Sequence, residues 1–347
     1  MRAIRRLFAP IAVLLLALVA APTLRPSDAA AAEMVRGLNS WTLDAYPAVA
    51  AAFAEAGARS ARVEVLWQEV EPSEGRYDWG KLDAAVAAAH GAGASLLLTL
   101  RSVSAWGAVQ PPDPEHPYQH ASRPRSTPAW RDFLTALASR YRGQSVAYEI
   151  ENEVNALFWA GSLADYLDLL NVSYRALKAA DPQAIVLPSA MACGVVFPLE
   201  APGPRDQFFG KADAWASAIL RTGAYDVVNV HDYYPPDVRV DGWTFASYLD
   251  HVRALAVAAG AGLKPIWITE TGFAAHPVAL KGRVEPGSPD LQARRLSQAF
   301  AAAAAFPAAR VYWLFLEDTG GEGLFGAMGL EDGAGRKRPA WRAFRGE

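Results

Sequence analysis

The stretch Ala147-Tyr-Glu-Ile-Glu-Asn-Glu-Val-Asn155 carries three glutamates, Glu149, Glu151 and Glu153, at a spacing of two, with Asn152 directly before the last. That spacing puts all three on one face if the segment is a strand. Burying so much negative charge is costly, so the fold must either use it or neutralise it. A second stretch further along answers to it: Pro265-Ile-Trp-Ile-Thr-Glu-Thr-Gly-Phe273, a short apolar run ending on a single carboxylate, Glu270. Two strands that each end on a glutamate point to paired-carboxylate chemistry.

Outward from these two runs, short β-type segments alternate with Ala-rich amphipathic ones, and the alternation repeats eight times. The strand segments fall at 34–40, 60–66, 95–101, 146–151, 184–189, 226–231, 265–270 and 310–316. Between them, 163–180 reads as a helix, because Leu163, Leu167, Leu170, Tyr174 and Leu177 recur at three and four. Thr127 before Pro128 and Ser288 before Pro289 put a capping side chain ahead of a proline at the first helical position. Asp181-Pro182 stops the helix before the fifth strand.

Eight strand-then-helix units predict an α/β fold of the (β/α)8 TIM-barrel type, since crossover helices force parallel strands and eight of them close a filled barrel. The rival is an open doubly wound sheet, which carries a Gly-rich turn after its first strand; Leu38-Asn39-Ser40-Trp41 has none. No Pro/Ser linker follows residue 33, so residues 33–347 read as one domain. The length of 347 residues and the 52% hydrophobic content suffice for the large core this needs. Loops 102–125 and 191–208 are long and contain proline and polar residues, and are expected to shape the mouth of a site.

The N-terminus carries Arg2, Arg5 and Arg6, then a mostly apolar run from Leu7 to Leu24, then Ala29 to Ala32. A basic head, an apolar middle and a small-residue tail predict an export signal over residues 1–32, cleaved near Ala32, and hence a secreted or extracytoplasmic protein. The alternative is an uncleaved membrane anchor, which Pro10 and Pro22 disfavour. The whole chain has a formal charge of −3, and residues 33–347 are near −6. Such a modestly acidic domain has no electrostatic footprint for nucleic acid or anionic lipid, and its partner is expected to be neutral. With Cys193 as the only cysteine, no intrachain disulfide and no Cys-based metal site can form. Nothing in the sequence specifies an oligomer.

In a barrel of this type the site lies at the carboxyl ends of the strands, so Glu153 and Glu270 project toward one cleft. Two carboxylates suit cleavage of a glycosidic bond: one holds a proton for the leaving oxygen, and the other stays ionised to attack the anomeric carbon. The environment separates their pKa values, because a carboxylate beside an arginine stays charged while a less supported neighbour is pushed up.

Asn152-Glu153 at the end of the fourth strand and Glu270 at the end of the seventh resemble the glycoside hydrolases of clan A, the retaining 4/7 barrels, nearest in style to families five and thirty-nine. The similarity extends over most of residues 33–347. Trp67-x-x-x-Glu71-Pro72-x-x-Gly75-x-Tyr77-Asp78-Trp79 looks like the segment after the second strand in these families, and His231-Asp-Tyr233 like the clan's His-x-Tyr. Phe325-Gly-Ala-Met-Gly-Leu330 through Lys337-Arg-Pro-Ala-Trp341 looks like their closing segment. The resemblance implies a retaining O-glycosyl hydrolase acting on β-linked oligo- or polysaccharides, with Glu153 as general acid/base and Glu270 as nucleophile. It further implies that Asn152 bonds the substrate 2-hydroxyl, that Arg62 and Tyr233 hold Glu270 charged, and that Trp313 floors the sugar subsite. Two departures stand out: Val154 follows the acid/base where proline is usual, and Thr99-Leu-Arg101 ends the third strand where some of these families have histidine.

Glu149 and Glu151 are expected deeper in the strand, paired with Arg62, Arg101 or other interior groups, and Glu64, of the same parity as Arg62, in the same network. His231 and Tyr233 share a face and reach the site together. His231-Asp232 has no other His or Asp at ligand spacing nearby, so neither a metal nor another cofactor is expected. Trp41, Trp106, Trp159 and Trp313 are candidate platforms for sugar rings, with Trp106 and Trp313 favoured. Gly320-Gly321-x-Gly323 reads as a flexible rim loop, and no Gly-x-Ser-x-Gly elbow supports a serine hydrolase. The other functional readings are a barrel that binds carbohydrate or assists its assembly without hydrolysis, and a transglycosylase using the same double displacement.

Overall fold

Short Val-, Ile- and Leu-rich runs form strands, and each feeds a helix whose apolar side returns to the sheet, so successive strands lie parallel. The computed structural model describes residues 33–116, 120–193, 205–280, 283–321 and 323–347. The expected export signal at 1–32 lies outside the described residues, as do parts of both long loops. The barrel strands are β1 (Val35–Ser40), β2 (Ser60–Leu66), β3 (Ser95–Arg101), β4 (Val146–Ile150), β5 (Ile185–Pro188), β6 (Val228–His231) and β7 (Ile266–Thr271). A short antiparallel pair follows, β8 (Val278–Leu280) and β9 (Arg283–Glu285), and then the eighth barrel strand, β10 (Arg310–Trp313). Their order in the sheet is β5-β4-β3-β2-β1-β10-β7-β6, all parallel, which makes a nearly closed (β/α)8 barrel.

The seam between β5 and β6 has no strand ladder. Pro188 at the end of β5 has no N–H to give, and one backbone bond with two side-chain bonds bridges the gap instead. The Asp226 N–H donates to Val186 O (2.8 Å), the Asp226 carboxylate accepts the Val186 N–H (2.9 Å), and Asn229 Nδ2 donates to Pro188 O (3.1 Å).

Around the strands run α1 (Tyr46–Glu55), α2 (Trp67–Val70), α3 (Gly80–Gly91), α4 (Thr127–Arg140), α5 (Leu163–Ala180), α6 (Arg205–Arg221), α7 (Phe245–Ala258) and α8 (Pro289–Ala305). The chain closes through β11 (Phe315–Glu317), β12 (Gly329–Glu331) and α9 (Pro339–Arg345). Helix α5 has the expected bounds, with Asp181 as its C-cap. Its buried face is set by Tyr166, Leu169, Leu170, Ser173, Ala176 and Leu177, while Leu163, Leu167 and Tyr174 flank it half-buried. Ser288 caps α8 by accepting the Leu291 N–H (3.1 Å). The cap of α4 is Ser126 rather than Thr127: Ser126 Oγ accepts the Ala129 N–H (3.3 Å), and Thr127 is already helical.

The main core lies between the barrel and its helices. Inside the barrel, Leu97, Ala147, Leu187, Val227, Trp267 and Tyr312 form an apolar plug. Arg310 stacks on Trp267 (4.2 Å to the ring centroid), and the Tyr312 hydroxyl bonds Ser60 Oγ (2.8 Å). Gly37 makes room for this plug, because a Cβ there would lie 2.4 Å from the Tyr312 ring. The opposite end of the barrel holds the charged groups. Among the described residues, Met34–Glu347 forms one compact unit and no helix is long and apolar enough to cross a membrane.

Candidate active site

β2 carries Arg62 on its inward face, and the site assembles around that guanidinium. Arg62 Nε donates to Glu149 Oε2 (2.6 Å), Nη1 to Glu270 Oε1 (2.7 Å) and Asn39 Oδ1 (3.0 Å), and Nη2 to Asn152 Oδ1 (2.8 Å). One planar fork thus ties β1, β2, β4 and β7 together, a geometry an ammonium could not match. Because Arg62 occupies Asn152 Oδ1, the Asn152 amide nitrogen remains available to donate.

β7 delivers Glu270, whose second oxygen accepts the Tyr233 hydroxyl (2.6 Å). His231, the last residue of β6, bonds Glu153 Oε1 through Nδ1 (2.8 Å), with Glu270 Oε2 3.5 Å from the same nitrogen. One ligating atom each of Glu153, His231 and Glu270 lies within 4.8 Å of the others. Glu153, His231, Tyr233 and Glu270 are thus brought together, and Glu270 joins the group to Arg62, which also holds Asn152.

The local backbone differs from a continued strand. β4 ends at Ile150, and Glu151 (φ 66°) and Glu153 (φ 39°) adopt left-handed conformations. Such non-glycine residues cost about 1–3 kcal/mol each and persist only where their surroundings hold them. The turn separates the three glutamates that a strand would have aligned. Glu149 points to Arg62, Thr99 Oγ1 (2.6 Å) and Asn229. Glu151 turns to Arg101 Nε (2.9 Å) and the backbone N–H and hydroxyl of Ser102 (2.6 and 2.5 Å). Glu153 goes to the cleft. Both inner glutamates are buried and neutralised, as expected, and Glu64 bonds Arg101 Nη1 (2.9 Å).

Burial pushes both cleft carboxyls above the ordinary carboxylate value. For Glu270 the charge of Arg62 and the Tyr233 hydroxyl act against that push. For Glu153 the His231 bond acts against it while the charge of Glu270 adds to it. In hydrogen-bond partners the two differ: Glu270 meets a guanidinium and a phenol hydroxyl, Glu153 only the His231 ring.

The tryptophans divide differently from the sequence expectation. Trp313 is fully buried: its inward neighbour Tyr312 takes the barrel interior, and Trp313 faces the helix layer, with Nε1 donating to Met328 O (2.8 Å) and its ring edge-on to Phe273 (5.8 Å). A ring enclosed on all sides offers no face to a sugar, so its reading as the subsite floor is corrected. Regular alternation along β10, with Arg310 and Tyr312 inward, places Trp313 outward, and the register irregularity beside it adds its extra residue on β7. Trp106 is half-buried on Trp67 (4.7 Å) and spends its N–H on Glu71 O (2.7 Å). Trp159 is buried, with its N–H on Ser162 O (3.0 Å). Trp41 alone of the four is open, at 52% exposure.

The motif Trp67-x-x-x-Glu71-Pro72-x-x-Gly75 proves architectural. The Glu71 carboxylate accepts Trp67 Nε1 and the Gly75 N–H (2.7 Å each) and folds the loop after β2 onto itself. The Gly-rich rim loop leads into a turn that sets Phe325 edge-on to Tyr233 (5.9 Å).

Glu153, His231 and Glu270, far apart in sequence, also meet the spacing of a metal triad. The Arg62 charge, 2.7 Å from Glu270, and the upward push on both carboxyls disfavour a cation there. Sequence reading missed Asn39, which accepts from Arg62 and donates to Trp313 O (3.1 Å), and Asn229, which links Glu149 to Thr269. Their only signal was inward parity on β1 and β6.

The family model of glycoside hydrolase family 42, described as β-galactosidase, matches residues 38–179, a span under half the chain that includes Asn152-Glu153 and stops short of Glu270. No curated protein matches the chain. Among solved structures, a family 39 glycoside hydrolase from the gut symbiont Bacteroides cellulosilyticus WH2 aligns at TM-score 0.65 with 18% identity, over 89% of this chain and 62% of its own. A family 39 enzyme from Xanthomonas axonopodis pv. citri aligns at 0.63 with 19% identity, over 90% and 65%. This chain thus spans less than two thirds of either. A family 5 subfamily 18 protein from Streptomyces cattleya, in complex with Manβ1-4GlcNAc, aligns at 0.62 with 18% identity, over 90% and 79%. At these identities the solved structures establish the fold, and together with the family-model match over residues 38–179 they bear out the chain's resemblance to the clan A glycoside hydrolases.

Proposed function

We propose that the protein is a retaining β-glycosidase that cleaves β-linked, neutral oligo- or polysaccharides by double displacement. The observation that carries the reading is the convergence of Glu153, His231 and Glu270 within 4.8 Å, with Glu270 gripped by Arg62 and Tyr233. An approach this close between their oxygens favours the retaining arrangement, in which the carboxyl pair stands about 5–5.5 Å apart, over the inverting one, which needs about 6.5–9.5 Å to admit a water. The family 42 match and the clan A neighbours, one of them bound to a β1-4 disaccharide, support the same reading.

In the first step Glu270 attacks the anomeric carbon and Glu153 passes its proton to the departing glycosidic oxygen. Forming the ester removes the charge of Glu270, and with it the share of the upward push on Glu153 that its repulsion adds to that of burial. Glu153 is then the base that takes a proton from the incoming water, and the glycosyl ester is released. Asn152, with its carbonyl oxygen already committed to Arg62, donates to the sugar 2-hydroxyl. The basic, then apolar, then small-residue N-terminus supports action outside the cytoplasm after cleavage near Ala32.

The deciding experiment incubates the protein with aryl β-glycosides and with β-glucans, xylans, mannans and galactans, and follows product anomers by NMR. Initial release of the β-anomer is expected. Initial release of the α-anomer, or no turnover on any substrate, would remove the retaining reading.

A further inference from the structure

The residues around Arg62 form one layer of the barrel mouth, and the layer above it has no assigned role. β1 and β2 pair in register as Asn39↔Arg62 and Ser40↔Val63, and the next residue on each chain is Trp41 and Glu64. Glu64 stands two residues along β2 from Arg62, a rise of about 7 Å or roughly one sugar unit above the layer that grips Glu270, and Trp41 follows directly on the last residue of β1. Trp41 is the one aromatic among the exposed large hydrophobic residues described, and its ring is backed by Phe315 (centroids 5.1 Å apart), itself 7% exposed. Half of an indole left in water forgoes burial that a tryptophan usually obtains. Glu64 holds Arg101 with Oε2, while Oε1 accepts no hydrogen bond among the described residues and the side chain keeps 12% exposure. Arg101 does not need it for neutrality, since the fully buried Glu151 already pairs with that guanidinium.

We propose that Trp41 and Glu64 form a subsite for the neutral sugar unit adjoining the one held at Glu153 and Glu270. The indole face packs on the C–H face of that ring, and the Glu64 carboxyl bonds its hydroxyls. Neutral is specified because, among the described residues, the mouth gathers Glu64, Glu149, Glu151, Glu153 and Glu270 around two guanidinium groups, Arg62 and Arg101, an excess of acid that repels uronates and sulfated sugars. The inference rests on the glycosidase reading above and deepens it.

The test uses the full chain carrying Glu270→Gln, which binds without turnover, and measures calorimetrically the affinity for β-linked gluco-, xylo-, manno- and galactotrisaccharides and for the matching methyl β-monoglycosides. Adding Trp41→Ala is expected to weaken the bound trisaccharide about tenfold, and Glu64→Gln about tenfold or more, with a smaller change for the monoglycoside. Trp41→Phe, which keeps a ring, should restore most of the loss. Equal factors for tri- and monosaccharide, or no change in either, overturn the subsite while leaving the glycosidase reading intact. If the Glu270→Gln chain binds none of the sugars and the unaltered chain hydrolyses none, both readings fall together.

Discussion

Arg62→Lys isolates the geometry of the guanidinium from its charge. The native side chain donates to Glu149, Glu270, Asn39 and Asn152. A lysine keeps the positive charge but brings one nitrogen, which can stay between the two carboxylates only by abandoning Asn39 and Asn152. Hydrogen bonds from charged donors contribute about 1.5–3 kcal/mol each, so losing two removes about 3–6 kcal/mol of ordering around the nucleophile. At about 1.36 kcal/mol per tenfold, kcat/KM should fall by roughly 10²–10⁴. The pH profile should move as well. Arg62 lowers the pKa of Glu270 against the upward push of burial; with a weaker donor the carboxyl rises, and because the nucleophile works deprotonated, activity on the acid side is lost at a higher pH than in the native protein. The assay is initial rate against pH on whichever aryl β-glycoside the panel reveals, with Tm measured in parallel. Arg62→Ala, which strands two buried carboxylates, should lower stability by about 3–5 kcal/mol, and the lysine variant by much less. A kcat/KM within threefold of the native value, or an acid limb that stays put, would refute the reasoning.

Glu270→Gln should abolish turnover with Tm unchanged or raised, since a buried anion is removed; a native rate would end its assignment as nucleophile. Glu153→Gln should hit substrates with poor leaving groups hardest and spare glycosyl transfer from activated aryl glycosides, and equal losses on both, measured as kcat/KM, would count against an acid role. Asp232 is fully buried, one oxygen accepts only the Tyr234 N–H and the other has no partner, and burial holds its pKa well above the ordinary value. Such a group costs stability once pH rises past its unfolded pKa of about 3.9, so Asp232→Asn should gain Tm over the native chain at pH 7 and lose that gain at pH 4; a constant difference would contradict this. Gly37→Ala drives a methyl into the Tyr312 ring and should cost about 1–3 kcal/mol by denaturant unfolding, and a neutral result would mean that the barrel plug yields.

Sequence reading located the barrel because its information is local. Apolar runs, helical spacing such as that of α5, and the Asp181-Pro182 stop each sit within a few residues of what they specify. That Glu153 and Glu270 reach one cleft was legible for the same reason, each lying at or just past the carboxyl end of a strand, and Arg62 by inward parity. What escaped depended on the third dimension. The left-handed turn at Glu151 and Glu153 sends three evenly spaced glutamates to three destinations, and nothing in their spacing announces it. Trp313 was misassigned because it was read by resemblance rather than by parity: Arg310 and Tyr312 take the interior side of β10, so Trp313 between strand and helices faces outward. Asn39 and Asn229 look like ordinary strand residues until Arg62 and Glu149 arrive from other strands to meet them. Ser126 and Thr127 are adjacent capping residues before a proline, and only backbone angles decide between them.

The unladdered junction of β5 and β6 bears on how the chain reaches its native form. Seven of the eight neighbour pairings are zipped by backbone bonds, and the last is a clasp built from Asp226 and Asn229. Pairing β1 with β10 closes nearly the whole chain, while β5 and β6 are neighbours in sequence, so the clasp needs little loop-closure entropy to form and can do without a ladder. The same clasp is the first place for a thermal fluctuation to part the wall. Amide exchange should be fastest, among the barrel strands, along the facing edges of β5 and β6 and slowest in β1, β2 and β3.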